Sequence, residues 1–361
     1  MDRGNVRDRP WYAYLNVDLF LLVLNRSLFH PFIAWLIPLC FRAVATPYSD
    51  PSMLWAVAYA VAITLWTIFL HLNRRFAYGI ARDVDLEDEV IVITGGASGL
   101  GLLIAEVYGM RGAAVAVLDV RNMETESRGV EFYQCDVGDR AQVEGAAKLI
   151  EADLGTPTIL INNAAVVSGK SLLELSAEET ERNLHVNLLS HFYTLQTFLP
   201  GMLREKRGTI VTIASVLGHL GCKNLSDYTA AKAGLLTLHA SLKEELSASS
   251  NIKTILVTPG QIATPLFAGV RTPSPFFAPV LEPVDVAKEI IRAVDGGVST
   301  DITLPLYSRW LPVLPVLPVS VQRLLRWASG IDRAMENFVG RERQGQGQGE
   351  GAGRQLRSKQ L

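Results

Sequence analysis

Cysteine is scarce in this chain, with three in 361 residues. Cys40, Cys135 and Cys222 are scattered and odd in number, which excludes a disulfide framework and fits a reducing compartment. The six histidines form no pair at ligand spacing, so no metal site is assigned. Charged residues make up only 19%, and the formal net charge of −2 gives no sign of a nucleic-acid partner. Hydrophobic residues make up 49%, more than a soluble enzyme of this length needs, and the excess is concentrated in particular segments.

The clearest such segment is 53–72, twenty residues without Asp, Glu, Lys or Arg. At 1.5 Å per residue it matches a bilayer core of ~30 Å. Trp55 and Tyr59 sit near one end, and Asn73-Arg74-Arg75 follows the other. A buried core helix is the alternative. An earlier apolar stretch, 19–45, is interrupted by Asn25-Arg26, His30-Pro31 and Pro38, and reads as a second span, a re-entrant segment or an interfacial helix. Arg3, Arg7 and Arg9 before it and Arg74, Arg75 and Arg82 after the second stretch predict a hairpin with both ends cytosolic. The leading stretch lacks a small-residue cleavage site, so it does not read as a signal peptide. Residues 1–80 are therefore expected to be a membrane anchor, on endoplasmic reticulum or lipid droplet, with the rest of the chain in the cytosol.

From Glu89 the pattern changes. Val90-Ile91-Val92-Ile93-Thr94 predicts a buried parallel strand. Gly95-Gly96-Ala97-Ser98-Gly99-Leu100-Gly101 follows, then an apolar helix through Met110. Strand, glycine turn and helix form the context of a dinucleotide fingerprint, with Gly95, Gly99 and Gly101 letting backbone approach a pyrophosphate and Ser98 offering a further donor. A glycine turn that binds nothing is the alternative. The strand from Ala113 to Leu118 ends in Asp119, 18 residues past Gly101, where an acidic side chain grips a ribose 2′-hydroxyl and repels a 2′-phosphate. This favours NAD over NADP. Arg121 softens the preference, and a local capping role for Asp119 is the bland alternative.

Ser226-Asp227-Tyr228-Thr229-Ala230-Ala231-Lys232 places a phenol and an ammonium at i and i+4 on one helix face, with Ser215 thirteen residues upstream. A lysine beneath a phenol lowers the phenol pKa from about 10 and readies it for proton exchange with an alcohol or carbonyl. The same spacing also arises by chance on many amphipathic helices.

Together with Cys135-Asp136-Val137, Asn162-Asn163-Ala164-Ala165, Asn187, and Pro259-Gly260 followed by Ile262 and Thr264, these motifs resemble, in order, those of the short-chain dehydrogenase/reductase family. The resemblance runs from about 89 to 303, and is closest to the membrane-anchored retinol dehydrogenase and 17β-hydroxysteroid dehydrogenase branch. It implies an α/β fold, a Rossmann-type doubly wound parallel sheet, over 85–305. It also implies a tetrad of Asn187, Ser215, Tyr228 and Lys232, with Asn187 holding a water that links Lys232 to solvent. Cofactor contacts would come from Thr94, Gly95, Ser98, Gly99, Leu100, Gly101, Asp119, Asp136, Val137, Asn162, Asn163, Tyr228, Lys232, Pro259, Gly260, Ile262 and Thr264. Ala165 departs from the family's usual glycine. The branch also shares a segment like 330–340.

The implied activity is hydride transfer between NAD(H) and a hydroxyl or carbonyl of a lipophilic molecule such as a steroid, retinoid or long-chain alcohol. An NADP-linked lipid ketone or 3-ketoacyl reductase and an idle membrane or lipid-droplet scaffold are the alternatives. Family members often form homo-oligomers. Phe267, Val270, Phe276, Phe277 and Leu281 are expected to line a lipophilic pocket, with simple core packing the alternative for each of them. Residues 306–340 read as an apolar and amphipathic extension whose prolines oppose a spanning helix, and 341–361 as a disordered tail.

Overall fold

The computed structural model describes residues 15–339, apart from 125–126, 248–250, 271, 273, 275, 277 and 337. The expectations for Phe277 and for the tail at 341–361 lie outside these residues. The chain divides into two compact units, one of residues 1–80 with 275–277, the other of 81–274 with 278–361.

In the first unit, α1 (Val17–Arg26) and α2 (Pro31–Ala43) are bent by 53° at a short break. Asn16 and His30 cap their N-termini, and Pro31 takes a first-turn position where no amide hydrogen bond is lost. α3 (Pro51–Tyr78) is the one described helix long and apolar enough by itself to cross a membrane. It runs beyond the apolar core of 53–72 because Asn73, Arg74 and Arg75 remain helical, and Gly79 closes it at φ +70. Met53, Ala56 and Ala60 pack inward, while Trp55 and Phe76 are 78% and 88% exposed. Phe276 belongs to this unit, where its carbonyl accepts from the Val17 amide at 3.0 Å. It therefore does not line the pocket predicted for it.

The second unit is built on seven parallel strands, β1 (Val90–Thr94), β2 (Ala114–Asp119), β3 (Val130–Gln134), β4 (Ile159–Asn162), β5 (Gly208–Ile213), β6 (Ile252–Pro259) and β7 (Thr300–Leu304). Their order is β3-β2-β1-β4-β5-β6-β7. Successive side chains alternate between faces. Ile91, Ile93, Val115 and Val117 face α4 (Gly99–Met110) and α9 (Pro283–Asp295), whereas Val92, Ala116, Leu118 and Leu160 face α5 (Arg140–Asp153) and α7 (Ser190–Glu205). The helices α6 (Ala177–Leu184) and α8 (Ser226–Glu245) complete the second layer, and α10 (Val319–Ser329) follows the sheet. Both faces are covered, which explains the unbroken Val/Ile runs. The strand order reverses between β1 and β4, the switch point at which such sheets open a ligand crevice beyond the strands' C-terminal ends.

The base of the sheet carries a buried polar cluster. Arg82 Nη1 lies 2.6 Å from Glu89 Oε1, with the two side chains 3% and 1% exposed. Arg82 Nε donates to Thr209 Oγ1 at 2.9 Å, and the Thr158 hydroxyl donates to Glu89. The cluster ties the entry of the chain into this unit to the starts of β1, β4 and β5.

The stretch 304–319 is a 3-10 run from Leu306 to Val316, not an α-helix, because Pro312 and Pro315 lack amide donors. Trp310 and Val316 on it, and Leu324 and Trp327 on α10, stand well exposed.

Candidate active site

One cleft of about 570 Å³ lies at the switch point. Its first wall is the glycine turn. Gly95 and Gly99 adopt φ +65 and +60, conformations open to glycine. A Cβ on Gly101 would stand 2.6 Å from the Gly95 carbonyl and from Asn163 Nδ2. Thr94 and Asn163 stitch the turn to the end of β4. The Thr94 hydroxyl accepts from the Asn163 and Ala164 amides at 3.0 and 3.1 Å, and Asn163 Nδ2 donates to the Thr94 and Gly95 carbonyls at 3.1 and 2.9 Å. Gly99 and Leu100, at the N-terminus of α4, face the cleft with Ser98. That helix end offers unpaired amides and a partial positive charge to an anion.

Asp119 closes the end of β2 and lines the cleft. Its Oδ2 accepts from the Ala97 amide and its Oδ1 from the Arg121 amide, both at 3.1 Å. The carboxylate thus steadies the glycine turn as well as facing the cleft, so the capping alternative is part of its role. Asp136 and Val137 follow on the same rim, with Asp136 Oδ1 accepting from the Gly138 amide at 2.9 Å. Pro259, Gly260, Ile262 and Thr264 complete the opposite side.

Three of the predicted cofactor contacts support the cleft without lining it. Thr94 and Gly101 act from behind the turn. Asn162 turns into the helix layer, where its Oδ1 accepts from Thr194 Oγ1 at 2.9 Å. Its side chain therefore secures α7 to the sheet and does not face a cofactor.

The reactive end is formed by β5 and α8. Ser215 follows β5 and caps the turn Val216–Gly218, its Oγ accepting from the Leu217 amide at 3.1 Å. Tyr228 and Lys232 lie one turn apart on α8, 3% and 2% exposed. Lys232 Nζ donates to the Ile213 carbonyl at 2.8 Å and stands 5.6 Å from the Tyr228 ring centre. The ring of Phe267 meets that of Tyr228 edge-on at 5.8 Å.

Burial rules the electrostatics. It pushes the Tyr228 phenol above its ordinary value, partly offset by a hydrogen bond with Ser215, and draws Lys232 down to about 7. The expectation that the ammonium depresses the phenol is corrected here, since both groups lose water and each disfavours its charged form. Behind Lys232, His191 is held far below its usual value by burial and by the nearby Lys232, and His239 is lowered to about 4 by burial.

A pH dependence follows. Between about 7 and 10.5 the unfolded chain keeps a proton that folded Lys232 has released, so this group's contribution to stability rises with pH across that window. Above about 10 Tyr228 acts oppositely, because only the unfolded phenol ionises. Replacing Lys232 by Met is expected to raise the melting temperature most near pH 6 and progressively less toward pH 9.5. Thermal melts of both proteins across that range check this, and a pH-independent difference would contradict it.

Asn187 sits in a π turn, His185–Leu189, fully buried. Its Oδ1 accepts from the Val166 amide at 3.1 Å, and its Nδ2 donates to the Val166 carbonyl and to Asn183 Oδ1, both at 2.8 Å. The side chain imitates a neighbouring strand for the loop after β4. It clamps that loop and is not among the side chains that line the cleft.

The structure adds lining residues that the sequence did not mark, among them Val167, Ser168, Lys170, Arg182, Phe338 and Val339. Lys170 pairs with Glu179 at 2.5 Å on an exposed rim, a contact of small energetic weight. Phe267 and Leu266 line the cleft, but Val270 only packs behind Tyr228 and Leu281 joins the main core.

Comparison with known proteins agrees with this geometry. The family model for short chain dehydrogenase matches residues 89–274. The short-chain dehydrogenase/reductase family 16C member 6 of Bos taurus is 34% identical over 285 residues, covering 75% of this chain and 90% of its own. Retinol dehydrogenase 10-B of Xenopus laevis is 31% identical over 318 residues, covering 78% and 93%. Among solved structures, the ligand-free aldohexose dehydrogenase of Thermoplasma acidophilum superposes with a TM-score of 0.55 at 25% identity, covering 62% of this chain and 94% of its own. The cradle at Gly95, Gly99 and Gly101, which any Cβ would obstruct or strain, fits the nicotinamide dinucleotide such enzymes use. The chain therefore belongs to the short-chain dehydrogenase/reductase family and is an NAD(P)-dependent dehydrogenase.

Proposed function

We propose that the enzyme interconverts a hydroxyl and a carbonyl group on a lipophilic substrate, a steroid, retinoid or long-chain alcohol, with a preference for NAD(H). The observation that carries this reading is the meeting of Ser215, Tyr228 and Lys232 with the apolar end of the cleft, where Val167, Leu266 and Phe267 gather.

In the oxidising direction the substrate hydroxyl proton passes to Tyr228 Oη as the carbinol C–H bond breaks. Ser215 donates a hydrogen bond to the oxygen while charge develops on it. Lys232 anchors the reactive end by its bond to the Ile213 carbonyl and takes part in exchanging the proton with solvent. In reduction Tyr228 returns the proton. When bound, the nicotinamide supplies or receives the hydride. Gly95, Ser98, Gly99 and Leu100 would hold the pyrophosphate, Asp119 the adenosine ribose, Asp136 and Val137 the adenine, and Pro259, Gly260, Ile262 and Thr264 the nicotinamide end.

Asp119 supports NAD, because a carboxylate beside a 2′-phosphate repels it. Arg121 on the same rim favours the second reading, an NADP-linked lipid ketone or 3-ketoacyl reductase. Turnover of a panel of lipophilic alcohols with both cofactors tests these. The expected kcat/KM with NAD exceeds that with NADP by at least about tenfold, some 1.4 kcal/mol. The reverse ratio supports the second reading, and no turnover with any pair supports an idle scaffold.

α3 and the bent pair α1–α2 support a membrane anchor, with the second unit cytosolic, at the endoplasmic reticulum or a lipid droplet. The exposed side chains at Trp310, Val316, Leu324 and Trp327 support an apolar surface suited to lipid contact. Its 3-10 run adjoins the cleft, since a Cβ on Gly260 would stand 3.3 Å from Tyr307 Oη. Protection of the second unit from protease in sealed microsomes would contradict the orientation.

A further inference from the structure

After the turn Ile331–Arg333, Met335, Phe338 and Val339 lie along the apolar half of the cleft. Contacts along its length hold this strap. Cys222 Sγ meets the Ile331 carbonyl at 3.5 Å, Met335 is buried against Leu225 and Tyr228, and the Val339 amide donates to the Ala268 carbonyl at 3.0 Å. Between the last two, half-buried Phe338 reaches the cleft wall.

Phe338 rests on Gly169, a residue of the loop that Asn187 clamps. Gly169 adopts φ +67, and a Cβ there would stand 2.1 Å from both Phe338 Cδ1 and Cε1. The ring fills the space that any side chain at 169 would take. It has no room to withdraw toward the loop, and it packs on the cluster of Leu225, Tyr228 and Met335. Phe267, edge-on to Tyr228, bounds the same apolar half. An alcohol whose carbinol ends a slender chain reaches Tyr228 with little displacement of these rings. One whose carbinol is part of a fused ring system carries its bulk into them.

Resting on the proposed reading of the site, we propose that Phe338, seated on Gly169, is a specificity-determining residue that favours a lipophilic primary alcohol on a slender chain over a fused-ring secondary alcohol. One methylene in an apolar pocket already changes discrimination by about 10–200-fold. Loss of a whole ring is therefore expected to act at least at the lower end of that range.

The test compares the full-length wild-type protein with Phe338→Ala, Gly169→Ala and the double variant, using dodecanol and a hydroxysteroid as substrates. Phe338→Ala is expected to move the ratio of the two kcat/KM values toward the hydroxysteroid by at least tenfold, with the KM for the cofactor within about twofold of wild type. Gly169→Ala pushes the ring off the loop toward the substrate half and is expected to move the ratio the opposite way, away from the hydroxysteroid. In the Phe338→Ala background it adds no further shift, a non-additivity expected only if the two residues act through one contact. Melting temperatures within a few degrees of wild type show that each variant folds. An unchanged ratio in the folded single variants, or effects that simply add, would overturn the proposal. If the wild type turns over neither alcohol, the reading of the site fails, and the proposal is then decided by binding. Displacement of a fluorescent long-chain alcohol by the same two compounds must show the same tenfold shift in the ratio of Kd values, and an unchanged ratio overturns it.

Discussion

Tyr228→Phe is expected to lower kcat/KM by about 10²–10⁴-fold, the range that a positioned proton donor contributes. The substitution keeps the ring, so the edge-on contact with Phe267 at 5.8 Å and the packing against Leu225 and Met335 survive. It removes only the phenol oxygen, which bonds Ser215 and would bond the substrate oxygen. The glycine turn and Asp119 are untouched, and cofactor binding followed by fluorescence should stay within about twofold of wild type. Turnover within tenfold of wild type would remove Tyr228 from the chemistry. Because burial raises the phenol in this structure, Tyr228 is protonated at neutral pH before substrate arrives, ready to donate in the reducing direction. In the oxidising direction the phenol must first give up that proton, so rates of oxidation should climb with pH more steeply than rates of reduction.

Arg82→Ala is expected to cost about 3–5 kcal/mol of stability, because it leaves Glu89 charged and buried without its partner. Thr158 still donates to Glu89, which offsets only part of the loss. For a unit of this size that corresponds to a fall in melting temperature of roughly 6–20 °C. The double variant Arg82→Met, Glu89→Leu is expected to recover most of it, since two apolar side chains need no compensation. A single-variant loss below about 1 kcal/mol, or a double variant no better than the single, would show that water reaches the cluster. The cluster lies at the base of the sheet and the cleft at the strands' other ends, so kcat at 25 °C should hardly change while the protein is folded.

Most of the cofactor half was legible in the sequence because its parts are local. Val90–Thr94, Gly95, Gly99, Gly101 and Asp119 lie within thirty residues, and their spacing reports strand, turn and helix directly. Tyr228 and Lys232 were legible for the same reason, one helical turn apart. The sequence does not show which way a side chain points when a distant partner decides it. Asn162 serves Thr194, and Asn187 serves Val166, both through contacts some twenty to thirty residues away. The sign of the Tyr228 shift was misjudged because spacing shows proximity of charge but not the depth of burial that outweighs it. The apolar run 265–281 reads as pocket lining or core alike, and only the fold divides it: Phe267 faces the cleft, Leu281 joins the sheet core and Phe276 lies with the other unit. Phe338 was missed as a wall because its partner, Gly169, is 169 residues away and carries no side chain to signal the contact.

The strap also fixes when the site is finished as the protein is made. Phe267 leaves the ribosome about seventy residues before Phe338. At about 5–20 residues per second that interval lasts roughly 4–14 seconds. During it the cofactor cradle and the Tyr228 helix have been synthesised, but the substrate half lacks one wall, and the apolar faces of Val167, Phe267 and Leu225 stand uncovered. Any factor that attends the nascent chain therefore meets an open, greasy half-site that the mature enzyme no longer displays.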